Sequence, residues 1–548
     1  MPSPASQLRA PLLWLLFPLM AGLTAARLWP PPARGLWPVL LAAGVLSLAA
    51  VRLALRPGRM AAVAWGICLV LAVAAAGFVL LHLREPHLHE WSGRPPREVT
   101  VRLEVLQTFA PSARSLSGLG RIVAAGEDDR ELAGRRVYFS AIRRISVPPL
   151  RSGIYTVRGV IAPLPRETAG ADFNDYLENL GIRRTLTRAQ IRREDQPPGW
   201  WPRFLGRARN RLEAILRLGL ERHPGTVSLY LGMLLGEKAV LSSEQQDAFT
   251  RSGTFHIFCI AGLHIGVIAL ALESVLRLFR VPRRSAVVLS LLLLGLYVQI
   301  TGANTPALRA FFMIVFWQAA RTGRLPGNGL AALAASALLM LLLDPLQLAS
   351  TGYQMSYTVV LALVVMGRPL AEHWLAAWRP FAFLPRPAWR WYHHAVRGAG
   401  RRLLGASAAC WVTFLASAPS CIGYFHVFSP GAVLANLVVI PLAVLAIIAG
   451  FLSLLTGLIW LLPLSALFNA AAAIIIMIME WLVREGTTLP GVYFNVQFTR
   501  AWLVPAALAG LTALLLAGVA GRWSRRYGGF WPPAVFLALL LVFGVKFG

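Results

Sequence analysis

The sequence predicts a mainly α-helical polytopic membrane protein with a small β-barrel domain inserted between its membrane-spanning parts. Of the 548 residues, 57% are hydrophobic and only 14% are charged, whereas about a quarter of the residues in an ordinary soluble domain are charged. Apolar stretches long enough to cross a bilayer as helices recur along the chain. After the third stretch lies a polar region in which apolar and polar residues alternate, as in β-strands.

About thirteen apolar windows have the length of roughly 17–25 residues that a transmembrane helix needs. They lie near 11–29, 36–54, 61–82, 256–278, 285–302, 305–321, 329–344, 350–367, 404–424, 430–461, 463–483, 500–520 and 531–545. The 430–461 window, which Asn436 and Pro441 interrupt, is long enough for a span plus a re-entrant or interfacial turn. We do not expect the first window to be a cleaved signal, because two further apolar windows follow at once.

The windows divide the chain into four predicted parts. These are an N-terminal three-span region (1–83), an extracytoplasmic domain (84–202), an amphipathic interfacial helix (203–222) and the main transmembrane domain (223–548). The interfacial helix has an apolar side that includes Leu212 and Ile215, and its arginines lie mostly elsewhere. This pattern is typical of a helix on a membrane surface, although the arginines could also guide a polyanion.

The 84–202 domain is predicted to be an OB-like barrel. A first strand follows from the alternation of Val99, Val101, Leu103 and Val105 with polar residues. Further strand candidates are 119–125, 135–145, 153–162 and 184–192, and a short helix is predicted at 173–181. Five short strands and one helix suit an OB fold.

Loop charge predicts the orientation of the chain in the membrane. The formal net charge is +29, and the basic loops near 277–284, 321–324, 368–402 and 522–526 all fall on one side of the predicted spans. That side should be cytoplasmic by the positive-inside rule. The same alternation places residues 84–222 on the outer face.

Motifs of common catalytic chemistry are absent from the sequence. A P-loop needs a lysine, and neither Lys238 nor Lys546 has the required setting; HExxH, GxSxG and paired CxxC motifs do not occur. His87 and His89 form a His-x-His without the further ligands of a dinuclear metal site, and interfacial residues are the favoured interpretation. We therefore predict no catalytic residues, no metal, no cofactor and no enzyme activity.

Polar residues inside the main membrane block are the candidates for a substrate path. They are His256, His264, Asn304, Arg309, Asp344, Gln354, Tyr357 and Asn436. Each one alone could be a packing residue, a cap or an interhelical hydrogen bond, but together they predict a lined cavity near the outer ends of several spans. His256 and His264 would lie about 80° apart on an uninterrupted helix. Arg309 should face water, an acidic partner such as Asp344, or an anionic substrate.

Several ordered motifs resemble those of ComEC-type competence proteins. The strongest is GMLLGEKAVLSSEQQDAFTRSGTFHIFCIAGLHIGVIALAL at 232–272. Similar segments lie in the same order at 171–186, 301–313, 344–363 and 424–442. The serine common in this family's AISGLH motif is Ala261 here. The metallo-β-lactamase-like domain of many relatives has no counterpart after the last predicted span.

The resemblance implies a competence-type channel domain at 223–548 in a bacterial inner membrane, which passes one DNA strand to the cytoplasm during natural transformation. The implied partners are single-stranded DNA, the lipid bilayer, a periplasmic DNA receptor, a separate nuclease, and a cytoplasmic ATPase or strand-binding proteins. Phosphate contacts and base stacking would bind a strand without reading its sequence. Candidate DNA contacts in the outer domain are Arg136, Tyr138, Arg158, Arg183 and Arg184. Strand aromatics such as Tyr138, Phe139 and Tyr155 are more often core residues.

Two other functions remain open from the sequence. One is a membrane-embedded enzyme or transporter for an anionic lipid-linked or surface-polymer substrate, with His264 as base and Arg309 as anion clamp. The other is a divergent scaffold that no longer conducts. A channel needs a continuous pore about a nucleotide wide, whereas an enzyme needs a closed pocket open sideways to lipid.

Overall fold

Every apolar window predicted to span the membrane contains an α-helix in the computed structural model, which confirms the fold class. The structure describes residues 10–32, 35–56, 58–85, 95–109, 115–142, 152–164, 174, 177–178, 180–236, 243–258, 260–323, 328–521 and 531–547. Within these ranges the helices are α1 (Leu13–Leu28), α2 (Trp37–Ala54), α3 (Arg59–Arg84), α4 (Trp200–Arg217), α5 (Pro224–Leu235), α6 (Ser243–Arg251), α7 (Gly262–Leu278), α8 (Arg283–Ile300), α9 (Thr305–Thr322), α10 (Gly329–Leu343), α11 (Thr351–Ala362), α12 (Arg368–Ala377), α13 (Trp391–Ser420), α14 (Ala432–Leu458), α15 (Leu462–Thr488), α16 (Leu503–Ala520) and α17 (Pro532–Phe543). The strands are β1 (Arg97–Thr108), β2 (Ser115–Ala125), β3 (Arg136–Ile142), β4 (Ile154–Pro163), β5 (Arg184–Gln196), β6 (Val427–Phe428), β7 (Phe494–Phe498) and β8 (Val545–Phe547).

The helices make this a multi-pass membrane protein. Nine helical segments of the described chain are long and apolar enough to cross a bilayer, and four shorter apolar helices accompany them. One of the shorter helices, α5, is not among the sequence windows; all of its residues from Thr226 to Leu235 are buried. A helix that is apolar all round is a core element. The number of about thirteen spans stays a prediction.

Helix α14 corrects one detail of the prediction. It runs from Ala432 to Leu458 as one helix, with Pro441 inside it. Neither Asn436 nor Pro441 interrupts the segment, so the re-entrant turn considered for 430–461 is not formed. Neighbouring helices allow such a proline within a membrane helix, because they can satisfy the backbone groups that it leaves free.

The chain divides into two compact units. One consists of residues 1–209 and 334–350, and the other of residues 210–333 and 351–548. In the first unit, helices α1 and α3 approach closely because Gly22 and Gly77 carry no side chain; a Cβ on either would collide with the backbone of the other helix. Small residues allow this kind of packing in membranes.

The first unit also holds a closed barrel with strand order β1-β2-β3-β5-β4. Strands β3 and β5 are parallel, and the other neighbours are antiparallel. The predicted alternation is confirmed, since Val99, Val101, Leu103 and Val105 are all buried in the barrel core. The predicted OB-like domain is therefore present. The predicted helix at 173–181 lies mostly outside the described residues.

In the second unit, hydrogen bonds of Asn469 on α15 connect the end of α4 to α15 and α5. Its Nδ2 atom donates to the carbonyls of Ile215 at 2.7 Å and Leu218 at 3.0 Å. Its Oδ1 atom accepts from the Tyr230 hydroxyl at 3.0 Å. Carbonyls at a helix end have no partner within the helix, so this buried amide satisfies them. Gly457 lets α4 approach, because a Cβ there would overlap the Ile215 side chain.

We expect Asn469→Ala to lower the free energy of unfolding by about 1–3 kcal/mol, the cost of leaving buried carbonyls without donors. Thermal unfolding of the detergent-solubilised protein measures this loss. Asn210→Ala is the matched control, because Asn210 is exposed on α4. Equal stability of the two variants would contradict the prediction.

Candidate functional site

The segment that carries His256 and His264 is broken. His256 lies on a 3-10 turn, Phe255–Ile257, and Ala261 is extended with φ −126° and ψ 176° before α7 begins at Gly262. The predicted shared face on an uninterrupted helix is therefore wrong. The structure contains a local break before α7 instead. Breaks of this kind are common in membrane helices that line substrate sites.

Glycine 253 holds the broken segment against the start of α14. Its φ of +70° is left-handed, and an added Cβ would lie 2.7 Å from the Ala432 Cβ. Beside it, the Ser429 hydroxyl donates to the Arg251 carbonyl at 2.6 Å. The left-handed φ and the close approach of Ala432 both favour glycine at position 253.

His264 is buried in the first turn of α7. Its Nδ1 atom accepts a hydrogen bond from the Ala261 amide at 3.3 Å. Because an amide can only donate, the proton of the neutral imidazole is on Nε2. This N–H lies near the backbone carbonyl of Ile257. The exposed side chain of His256 is close enough to interact electrostatically with the His264 ring. The second ring nitrogen of His264 is thus a donor, which cannot take up a proton.

Arg309 lies in the first turns of α9 and is only 3% exposed. Gly352, at the start of α11, lies against the guanidinium, since an added Cβ would be in van der Waals contact with Nη1 at 3.4 Å. Tyr353 and Tyr357 lie beside the guanidinium, and their ring centroids are 4.4 Å apart. Arginine at membrane depth is costly on insertion scales, by about 2.5–3.5 kcal/mol, so this placement indicates a functional position.

The residues at and near the starts of neighbouring helices contact α9, the helix that carries Arg309. A Cβ on Gly262 of α7 would lie 3.8 Å from the Cβ of Ala310. Asn304 is the residue before α9, and its Nδ2 atom lies 2.8 Å from the position of a Cβ on Gly236. The structure therefore brings the first turns of α7, α9 and α11 together.

The remaining predicted path residues are placed as follows. Gln354 accepts a hydrogen bond from the Tyr424 hydroxyl at 2.6 Å, and Tyr424 lies on a π-helical turn, Cys421–Phe425. Such turns are frequent at functional sites. Asn436 is buried one helical turn after Ala432. Asp344 belongs to the other unit, where it accepts from the Leu346 amide at 3.3 Å and the Gln347 side chain at 2.9 Å.

In the barrel, the candidate DNA contacts have different settings. Arg136 forms an ion pair with Glu85 at 2.6 Å, and Arg158 donates to Glu98 at 2.7 and 3.0 Å. Hydrogen bonding to Arg158 lowers the pKa of the Glu98 carboxyl. Tyr138 is half-buried against Phe109.

The other barrel candidates are less accessible. Arg184 is buried and Arg183 is half-buried. Phe139 and Tyr155 belong to the barrel core, which favours the core interpretation of these aromatics. Of the two candidate arginines that form a described ion pair, Arg136 and Arg158, Arg158 has the more exposed side chain.

Sequence reasoning missed one polar connection at the other ends of α7 and α9. Glu273 is buried, pairs with Arg277, and accepts from the Gln318 side chain at 3.5 Å. The signal was visible, because an acidic residue within an apolar window is rare and marks a specific role.

Comparison with known proteins places the chain in context. A family model described as Competence protein matches residues 233–520. The chain is also similar to ComE operon protein 3 of Bacillus subtilis (strain 168), with 25% identity over 194 residues. That match covers 35% of this chain and 25% of the relative, so the chain spans only about a quarter of that relative's length. No solved structure matches at a significant level.

We expect Gly253→Ala to destabilise the protein by about 1–3 kcal/mol, because a side chain would strain the left-handed backbone and displace Ala432. Gly266→Ala is the matched control. Gly266 is within α7, and a Cβ there meets nothing within 4 Å, so alanine should be neutral or slightly stabilising. Thermal unfolding in detergent compares the two, and a Gly253→Ala protein as stable as Gly266→Ala would refute the docking role.

Proposed function

The chain belongs to the Competence protein family, and on that premise we propose that it is an inner-membrane channel for single-stranded DNA entering the cytoplasm during natural transformation. A role in DNA uptake is what the family and the relative support. Translocation of one strand through this chain is the finer step that the site geometry supports.

The observation that carries the proposal is a group of helix amino termini at one end of the second unit. Contacts of Gly262 with Ala310 and of Arg309 with Gly352 bring the starts of α7, α9 and α11 together, and Gly253, which precedes α7 in the chain, contacts Ala432 at the start of α14. None of these four described first turns contains an acidic residue.

Each helix amino terminus carries about half a positive charge. Four of them without a neighbouring carboxylate create a positive potential from backbone alone, which attracts phosphate groups. This attraction does not depend on base sequence, as uptake of arbitrary DNA requires.

Arg309 adds a full charge at the same place. Its planar guanidinium can bind two oxygens of one phosphate at a time. Gly352 and the two tyrosines hold it in position. The Nε2–H group of His264 would add a neutral donor at the start of α7. Such a site binds successive phosphates without forming a covalent bond.

The alternative of an enzyme that uses His264 as base is less well supported. Nδ1 of His264 accepts from the Ala261 amide, and Nε2 therefore carries a proton in the neutral ring. A general base needs a free lone pair within reach of the proton that it removes.

The proposal also includes the location of the protein and the partners that act with it. We place the chain in a bacterial inner membrane, with residues 84–222 outside. A periplasmic DNA receptor would deliver the strand. Because the sequence has no P-loop, a cytoplasmic ATPase or strand-binding proteins would supply direction.

In a deletion strain, complementation with Arg309→Ala should reduce uptake of labelled DNA into the cytoplasm by about 10- to 100-fold, the loss expected when a charged hydrogen bond of about 1.5–3 kcal/mol is removed. Arg309→Lys should restore uptake in part, since it keeps the charge but not the bidentate geometry. His264→Ala should show a smaller loss, because its Nε2–H donor is neutral.

Arg280→Ala is the control, because this exposed arginine follows the other end of α7; it should take up DNA like wild type. If the deletion strain itself brings labelled DNA into its cytoplasm as well as its parent does, the proposal is wrong.

The isolated barrel, residues 90–199, should bind single-stranded DNA weakly, and more weakly as salt rises. Glu98→Gln should tighten binding, because it releases Arg158 from an exposed ion pair. Asp128→Asn makes the same change in charge at an exposed carboxylate that has no ion pair with the described residues. Fluorescence anisotropy at several salt concentrations measures both variants; equal tightening would assign the effect to net charge rather than to Arg158.

A further inference from the structure

Helix α13 extends well beyond the part of it that is apolar. It has 30 residues, but its apolar part begins only at Leu403. Residues 391–402 therefore continue for about 18 Å outside the hydrocarbon layer, whereas the headgroup region adds only about 5–7 Å on each side. A tilt of about 20°, the average for membrane helices, shortens this extension by only about 1 Å. The first three turns of α13 thus project into water.

The chain just before α13 packs along one side of this extension. A Cβ on Gly400 would overlap the ring of Trp378. Farther from the membrane, Phe381 meets the ring of the buried His393 edge-on, with centroids 4.5 Å apart. The turn 378–390 therefore supports the extension on the side of His393 and Gly400, and leaves its other side open.

The open side carries both positive charge and an aromatic ring. At about 100° per residue, six residues of the extension lie within about 140° around the helix axis; we call them the basic face, and they are Trp391, His394, Arg397, Gly398, Arg401 and Arg402. All six are exposed or half-buried. Trp391 is 81% exposed, and around the axis it lies between Gly398 and Arg402. The ring and the guanidinium groups therefore share one face.

No carboxylate offsets the charge of the basic face. Residues 373–402 include six arginines and no acidic residue. The nearest preceding carboxylate, Glu372, is already paired with Arg368 at 2.7 Å. The Arg397 guanidinium lies over the Trp389 ring at 5.2 Å, which keeps its charge at the border of the face. Guanidinium groups without a carboxylate partner can each bind two oxygens of a phosphate.

The position of Trp391 distinguishes between possible anionic partners. Lipid headgroups extend about 5–7 Å beyond the hydrocarbon layer, so they can reach Arg402 but not Trp391, which lies about 18 Å away along the helix. An exposed ring in water beside positive charge is the combination with which proteins hold unpaired bases, whatever their sequence. The basic face therefore suits a single nucleic acid strand better than a lipid surface.

Helix α13 connects this face to the candidate path. At its other end, the π-helical turn carries Tyr424, which bonds Gln354 at the start of α11. Helix α11 packs against α13, and its Gly352 contacts Arg309. The positive-inside rule predicts that the amino-terminal end of α13 is cytoplasmic. A strand that follows α13 away from Arg309 would reach the basic face last.

We propose that the basic face of α13 binds a single DNA strand as it leaves the channel, with arginines on its phosphates and Trp391 stacked on a base. This inference rests on the proposed function, because it names where the strand is held on the cytoplasmic side. Duplex DNA, whose bases are paired, would use the arginines but not the ring.

The test uses the full-length protein in lipid nanodiscs that contain phosphatidylglycerol. With Trp391→p-benzoylphenylalanine, irradiation should crosslink a radiolabelled oligothymidylate. The same probe at Val396 is the matched control and should crosslink little, because Val396 is exposed but lies about 140° further around the same helix. Equal crosslinking at the two positions would overturn the inference. A crosslink from position 391 to phospholipid in place of the oligothymidylate would also overturn it.

The charge of the face is tested in the protein that carries the probe at position 391. Arg397→Gln should reduce crosslinking and lower the salt slope by about one, and Arg397→Lys should keep the slope. Arg284→Gln, at an exposed arginine of α8 on the same predicted side, should change neither. Gly398→Arg should increase crosslinking, since an added Cβ there meets nothing within 4 Å. If Arg397→Gln behaves like Arg284→Gln, or Gly398→Arg has no effect, the face does not bind the strand.

The ring is tested without the probe. Trp391→Ala should weaken binding of the oligothymidylate by about fivefold or more, as loss of a stacked base does, and should leave the salt slope unchanged. Unchanged affinity, or crosslinking of a duplex as strong as that of the single strand, would contradict the stacking role.

The channel and the basic face fail separately. Arg309→Ala should reduce uptake yet keep the crosslink at position 391. Loss of uptake in Arg309→Ala without any crosslink in its parent would refute the basic face and leave the channel intact. A strong crosslink in a protein whose deletion leaves uptake unchanged would refute the channel alone.

Discussion

The contact of Gly253 with Ala432 organises one end of the second unit. Because Gly253 has no side chain and adopts φ +70°, the chain can turn against α14 and then begin α7 anew at Gly262. If residues 255–278 formed one continuous helix, no helix would begin at Gly262. The helix start at α7, the capping contact of His264 and the position of Ala310 beside Gly262 all follow from this one break.

A second constraint is that polar groups within the membrane must find partners in protein. Asn469 provides hydrogen-bond partners for the end of α4 and for Tyr230. Gln354 provides the partner for the Tyr424 hydroxyl. At the opposite end of α7, Glu273 joins Arg277 and Gln318. The polar side chains thus lie in pairs and clusters between helices, while the long apolar surfaces are left for lipid.

Sequence patterns predicted the parts of the fold that depend on local periodicity. The barrel strands were predictable because Val99, Val101, Leu103 and Val105 alternate with exposed residues and all face one core. The membrane helices were predictable from length and hydropathy. Helix α5 was not, because 12 residues are too few for a span.

The candidate site was predictable in its residue types and not in its contacts. Arg309, Gln354 and Tyr357 stood out as polar residues in apolar windows, but their neighbours depend on residues distant in sequence. Asn469 bonds a carbonyl 254 positions away, and no periodicity contains that information. The break before α7 was hidden because the 256–278 window is long and apolar enough for one continuous helix.

Helix α5 has a consequence for how the protein is made. Its 12 residues extend about 18 Å, well short of the roughly 30 Å hydrocarbon core, and protein covers it on all sides. Two of the covering helices, α14 and α15, leave the ribosome much later, since α14 begins only at Ala432. Until they arrive, α5 needs a temporary protein neighbour, such as the insertion machinery or a chaperone. The burial of α5 is therefore complete only after α14 and α15 have been synthesised.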